Sequence, residues 1–260
     1  MTPILRVEQI SRRFGGYLAL NSVSCDVITG HVHALIGPNG AGKTTLFNIV
    51  SGTLRPTAGR IAFEGRTYTG RRPDRISMMG IARNFQHVRL IRGLSIVENV
   101  MIGCHTRTDR GIFGNLSEFF GVGSAEAAAR NRAREMLDFV GVSGKFLARS
   151  EDLTLADQRR LEIARALATE PRLLLLDEPA AGMNPTEVIE LSILIKRIQS
   201  LGITTLLVEH NMRLIMNIAD SITVLSAGNV IASGAPSMIQ RHPEVISAYL
   251  GQSDEPSLSH

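Results

Sequence analysis

The chain has 260 residues, 44% hydrophobic and 20% charged, with 28 Lys+Arg against 24 Asp+Glu and a formal net charge of +4. That is ordinary globular composition, sufficient for one large domain or for a core with an inserted subdomain. It excludes a bilayer span, because the longest apolar runs, near Leu173–Leu176 and Ile203–Val208, are strand-sized. The first residues, Met1-Thr2-Pro3-Ile4-Leu5-Arg6, lack the basic-then-apolar layout of a signal peptide, so a cytoplasmic location is expected. Cys25 and Cys104 have no C-x-x-C spacing and suggest neither a disulfide framework nor a zinc site. The basic excess is carried by arginine, since Lys43, Lys145 and Lys196 are the only lysines. Its densest loop cluster, Arg71-Arg72 with Arg75, lacks interleaved aromatics and reads as solvated surface rather than a nucleic-acid face.

In chain order, residues 4 to 36 alternate short strands and turns, with Val23, Cys25 and Val27 sharing one strand face and Val32–Ile36 running buried. Phe14-Gly15-Gly16-Tyr17 is a turn with two aromatics; either one stacks on a base or both pack at strand ends. Gly37 to Thr44 then satisfies G-x-x-x-x-G-K-[ST], the phosphate-binding P-loop, set between an apolar strand and an apolar helix. Its glycines let backbone N–H groups close around a polyphosphate, and the helix start adds a positive dipole end. Lys43 is placed to neutralise the β- and γ-phosphates and the Thr44 hydroxyl to ligate Mg²⁺. Beyond it come a strand at Arg60–Glu64, a polar irregular stretch from Arg66 to Met79, and Ile81–Gln86. Residues 87 to 155 are expected to be an α-helical insertion, with Ser124 capping a helix that Gly141 ends.

The α/β pattern resumes at Asp157 with a helix that Pro171 breaks. Leu173–Leu176 fits a strand covered on both faces, and it ends in Asp177 and Glu178. Open α/β sheets place their ligand crevice at such strand ends, where one carboxylate can hold Mg²⁺ and its neighbour can polarise water. Asn184-Pro185-Thr186-Glu187 predicts a helix start, running to about Ser200 with Gly202 beyond it. Ile203–Val208 is a strand delivering Glu209-His210 to the sheet edge expected for Asp177 and the P-loop. Ser221–Leu225 and Asn229–Ser233 form a closing hairpin around Ala227-Gly228, and Ser253–His260 reads as a disordered tail. His31 and His33 share a strand face without a third ligand, so no metal site is read there.

Gly37–Thr45, Gln86, Leu153–Ala168, Leu173–Glu178 and His210 occur in the order expected of ATP-binding-cassette ATPases, which the chain resembles over nearly its whole length. The residues Arg159–Ala168, Asp177-Glu178-Pro179-Ala180-Ala181-Gly182-Met183-Asn184-Pro185, Val208-Glu209-His210-Asn211-Met212 and Ser247-Ala248-Tyr249-Leu250-Gly251 are most similar to the ATPase subunits of bacterial importers for branched-chain and other hydrophobic amino acids. The resemblance implies an α/β fold: a P-loop NTPase core, a mixed sheet flanked by helices, with an N-terminal antiparallel β region and an inserted α-helical subdomain. Residues 1–252 would be one ATPase domain, with core segments 1–86 and 156–235, the helical insertion at 87–155 and a helical end at 236–251. ATP and Mg²⁺ are the implied cofactors.

By the same resemblance Phe14, rather than Tyr17, stacks on adenine, and Gly37, Pro38, Asn39, Gly40, Ala41, Gly42, Lys43, Thr44 and Thr45 hold the phosphates. Thr44, Gln86 and Asp177 serve Mg²⁺, with Gln86 linking it to the loop that touches the membrane subunit. Glu178 is the general base and His210 the γ-phosphate switch. Such subunits pair head to tail, as homodimers or heterodimers, each ATP meeting the partner's signature motif, here Thr154, Leu155, Ala156 and Asp157. The further implied partners are transmembrane permease subunits and, indirectly, a periplasmic substrate-binding protein, placing the chain peripherally on the cytoplasmic face of the bacterial inner membrane, with no nucleic-acid partner.

Two positions depart from the family pattern. The signature Leu-Ser-Gly-Gly-Gln is replaced by Leu153-Thr154-Leu155-Ala156-Asp157, in which the Ala156 methyl would obstruct a positive φ and Asp157 reads as the cap of the next helix. Asn184 stands where many members have aspartate. The competing readings are a lipid or lipopolysaccharide exporter ATPase, a soluble cassette protein of DNA repair or translation, and a switch GTPase. The soluble proteins usually carry two cassettes or coiled-coil insertions, and the GTPase needs an Asn-Lys-x-Asp motif; the chain shows none of these.

Overall fold

A computed structural model describes residues 2–84, 90–108, 122–142, 144 and 146–250. The chain forms two compact units, one of residues 1–76 and 195–260 and the other of residues 77–194. The first begins with strands β1 (Pro3–Phe14), β2 (Tyr17–Ile28) and β3 (Val32–Ile36), helix α1 (Lys43–Val50), strands β4 (Ala58–Phe63) and β5 (Arg66–Thr67), and helix α2 (Pro73–Met78). The second contains β6 (Ile81–Arg83), α3 (Ile96–Thr108), α4 (Val122–Val140), α5 (Leu155–Leu167), β7 (Leu173–Asp177) and the start of α6 (Pro185–Ser200). The chain then returns to the first unit with β8 (Thr204–Val208), α7 (Met212–Ile218), β9 (Ser221–Ser226), β10 (Asn229–Gly234), α8 (Pro236–Ile239) and α9 (Pro243–Leu250).

In the first unit, β1 pairs antiparallel with both β2 and β4, giving a sheet of order β2-β1-β4-β5. Alternation builds its inner face: Leu5, Val7, Val23 and Val27 are buried while Arg6, Ser24 and Asp26 face out. The second sheet runs β10-β9-β3-β8; β3 is parallel to both neighbours and β10 antiparallel to β9, so the sheet is mixed. Every residue of β3 and β8 is buried, as expected of inner parallel strands covered on both faces. In the second unit β6 pairs parallel with the fully buried β7, and α3, α4 and α5 pack on one another. The expected combination of mixed sheet, flanking helices and antiparallel β region is present.

Several local expectations change. Arg66–Met79 is not irregular: it holds β5 and α2, too short for any periodicity to register. Tyr68, at 1% exposure, is buried there with its hydroxyl donating to Val50 O at 3.0 Å. Helix α4 starts at Val122, so Ser124 lies inside it rather than capping it, and Gly141 follows its end with φ 81°. Helix α5 starts at Leu155, and its cap is Thr154, whose Oγ1 accepts from the Asp157 N–H at 3.2 Å; Asp157 is the third residue of the helix and not its cap. The expected tail at 253–260 lies outside the described residues.

Candidate nucleotide site

In the first unit β3 carries the chain into the P-loop between β8 and β9, with Leu35 opposite Val208 and Ile36 opposite Val224. The loop uses its glycines where nothing else fits. Gly42 caps α1 with φ 100°, and a Cβ there would lie 2.6 Å from Leu20 Cδ2 and 2.7 Å from Ala19 O. Gly37 has φ 147°, and its Cβ would strike Leu225 O at 2.0 Å. Both glycines are required by left-handed backbone and by close approach together.

The Lys43 side chain is buried, with Nζ donating to Gly37 O at 2.6 Å and to Pro38 O at 2.8 Å. The lysine therefore bends back into its own loop, with its ammonium held at the loop's first two residues. Helix α1 has no acidic residue in its first turn, so the positive end of its dipole is not offset there. Thr44 is exposed at the same helix start, next to the half-buried Thr45.

The parallel register brings the end of β8 to the same sheet edge as the P-loop, and His210 is exposed just beyond it. The turn is held by Glu209, which is buried and accepts from the backbone N–H groups of His210 at 2.9 Å and Asn211 at 3.1 Å. Asn211 then caps α7 by accepting from the Leu214 N–H at 3.1 Å. Phe14 and Tyr17 sit at the β1–β2 turn, 45% and 61% exposed. Phe14 is distinguished by Arg12, whose guanidinium lies 4.6 Å from the ring centroid and is anchored by a 3.0 Å bond to Arg55 O. In α9, burial pushes the Tyr249 phenol up, and the Gly37 backbone partly offsets this.

In the second unit Asp177 ends β7 and is buried. Its Oδ2 accepts from Arg83 Nη2 at 2.8 Å, and its backbone N–H donates to Asn84 Oδ1 at 2.7 Å. Glu178 follows with φ 47°, a left-handed conformation that a side chain other than glycine adopts at some strain, as functional positions often do. Asn184 and Glu187 form a reciprocal capping box at the start of α6, with bonds of 2.8 and 3.0 Å. Ala156 is helical and absent from the positive-φ residues, so its methyl meets no backbone obstacle. Gln86 lies outside the described residues.

Sequence reasoning singled out neither Arg83 and Asn84 on Asp177, nor Glu209 under His210, nor Arg12 under Phe14. Only Glu209 had a local signal, an acid directly before a strand-end histidine. By type the donors fit a magnesium nucleotide: backbone N–H groups and a lysine for phosphate and a hydroxyl oxygen in the first unit, and a carboxylate oxygen in the second. The Thr44 hydroxyl and Asp177 Oδ1 have no hydrogen-bond partner among the described residues.

Residues 20–181 match the family profile "ABC transporter", and residues 229–255 match "Branched-chain amino acid ATP-binding cassette transporter". The chain is 43% identical over 251 residues to the high-affinity branched-chain amino acid transport ATP-binding protein LivG of Salmonella typhimurium, covering 96% of this chain and 98% of that one. It is 42% identical over 252 residues to BraF, the protein of corresponding description in Pseudomonas aeruginosa, again with 96% and 98% covered. Among solved structures, the ADP conformation of MJ1267, an ATP-binding cassette of an ABC transporter, superposes with a TM-score of 0.84 at 31% identity, covering 96% of this chain and 100% of that chain. A nucleotide-free cassette from an ABC transporter gives 0.82 at 29% identity, with 95% and 99% covered. With its P-loop, terminal β7 carboxylates and strand-end histidine, the chain belongs to the ABC transporter family and is one of its ATP-binding ATPase domains.

Proposed function

We propose that this chain is the ATP-hydrolysing subunit of a bacterial importer for branched-chain or other hydrophobic amino acids, bound peripherally at the cytoplasmic face of the inner membrane. The observation that carries this reading is the near full-length similarity to LivG and BraF, continued through the separate C-terminal match at 229–255. No described helix is long and apolar enough to cross a membrane, so permease subunits supply the path. A second ATPase subunit, identical or not, completes the pair, and a periplasmic binding protein delivers substrate. We read 87–155 as the helical subdomain of one ATPase domain, inserted between core segments 1–86 and 156–235, with 236–251 as its C-terminal helical end.

The roles follow from the residues. Phe14, backed by Arg12, offers its ring to adenine. Gly37–Thr45 wrap the phosphates, and Lys43 exchanges the two carbonyls it holds for phosphate oxygens. Thr44, Asp177 and Gln86 would hold Mg²⁺, which supplies charge neutralisation at the phosphates. Glu178 orients and polarises the attacking water, and His210, presented by the Glu209-braced turn, reads the γ-phosphate. Thr154–Asp157 open α5, so the signature is offered to the partner's nucleotide as a helix N-terminus.

Purification from detergent-solubilised membranes, followed by identification of co-purifying chains, tests the assignment directly. Permease subunits should accompany it, and Lys43→Ala should lower uptake of labelled leucine about a hundredfold. Recovery as a soluble complex on nucleic acid, or with an exporter's membrane subunits, would sink the importer reading.

A further inference from the structure

Asp177 is held from two sides by consecutive residues of one segment. Arg83, the last residue of β6, stands opposite Leu175 in the parallel register. It therefore shares a sheet face with Asp177, two residues further along β7. Its Nη2 reaches Asp177 Oδ2 at 2.8 Å, and the two side chains are only 12% and 2% exposed. An ion pair this deep is retained against a large desolvation penalty, and each charge needs the other. Asn84 extends the same ladder after the strand ends: its N–H donates to Leu175 O at 3.0 Å and its side-chain oxygen accepts from the Asp177 N–H. The other end of that amide, Nδ2, is buried without a hydrogen-bond partner among the described residues. A buried donor left unmet is itself destabilising. The segment thus fixes Asp177 at the expense of its own polar satisfaction.

We propose that Arg83 is a positioning residue for the divalent cation, fixing the rotamer of Asp177 and setting how tightly the metal is held. This rests on the reading of Asp177 as the Mg²⁺ carboxylate. The guanidinium occupies Oδ2 and leaves Oδ1 open, so it orients the group without consuming it. Its positive charge sits on the same carboxylate that would hold the cation, and would oppose a cation bound there. Arg83 trades cation affinity for a fixed carboxylate.

The test is a Mg²⁺ titration of the purified chain preloaded with a fluorescent ATP analogue, in a Glu178→Gln background so that nucleotide is not consumed. Arg83→Met and Arg83→Gln both remove the charge, and each should move the Mg²⁺ midpoint about tenfold lower, while Arg83→Lys stays within about threefold of the parent. A purely structural role would weaken Mg²⁺-free nucleotide binding and leave the midpoint in place. If Arg83→Met does not fold, Arg83→Gln, which can still hydrogen-bond Asp177, gives the same reading. A midpoint unchanged or higher in the neutral variants overturns the proposal. Asp177→Asn in parallel separates the two claims: its midpoint should rise at least about tenfold. If it does not move, the Mg²⁺ assignment of Asp177 fails and this inference with it; if it rises while the Arg83 variants stay put, only the inference fails.

Discussion

His33 is a titratable side chain sealed inside β3. It is 2% exposed, with Nδ1 2.8 Å from Ser221 Oγ and Nε2 2.9 Å from Thr223 Oγ1, which in turn lies 3.1 Å from Ser233 Oγ. A neutral ring donates to one hydroxyl and accepts from the other. Burial first, and then the neighbouring charge of His31, pull its pKa down from 6.5 to about 4. The unfolded chain therefore binds a proton between those values that the folded chain does not, so stability is full above pH 6.5 and declines as pH falls toward 4. The loss should approach about 3 kcal/mol across that window. Urea unfolding at pH 7 and at pH 4.5 measures it, and His33→Gln should flatten the slope there. Glu178 allows a cleaner comparison, because its φ of 47° is disfavoured for any residue with a Cβ. Glu178→Ala and Glu178→Gly both remove the carboxylate and should both lose hydrolysis, yet the glycine variant should be more stable by about 1 kcal/mol in urea. Equal stabilities would show that the backbone at this position carries no strain.

At the scale of elements, α6 shows what a sequence can disclose. Asn184, Pro185 and Glu187 specify its start by a reciprocal bond pattern spanning four residues, and the helix begins at Pro185 as expected. Asn184→Ala should cost about 1 kcal/mol in thermal or urea unfolding, while Asn184→Asp should keep the cap. β7, β8 and the P-loop were equally legible, since continuous apolar runs and fixed glycine spacing are local signals. β5 and α2 were not, because two residues and six residues leave no period to read. The start of α5 is ambiguous for a different reason: Thr154 and Asp157 are both good capping residues, and only the folded backbone selects the Thr154 hydroxyl. Arg83 on Asp177 was beyond reach altogether, because 94 residues separate the partners and only the β6–β7 register joins them.

For the whole molecule, the functional residues fall in two groups. Phe14, the P-loop and His210 belong to the first unit, which also contains the C-terminal segment with Tyr249. Asp177, Glu178 and the Thr154–Asp157 helix start belong to the second. On the proposed reading, the chain brings a complete P-loop to its own nucleotide and an altered signature to its partner's. If that partner is a different subunit with a fuller signature, the site built on this chain's P-loop is the stronger of the two. Lys43 and Thr154 then have unequal weight. Lys43→Ala removes the charge that faces the phosphates in the stronger site and should lower transport about a hundredfold. Thr154→Asn keeps a good helix cap, so α5 stays folded while the hydroxyl offered to the weaker site is lost, and transport should fall no more than about threefold. Uptake of labelled amino acid in membrane vesicles carrying each variant measures the difference, with melting temperatures confirming that both fold. Equal losses from the two substitutions would mean that both sites hydrolyse ATP alike, as in a symmetric pair of this chain, and would end the case for a dominant site.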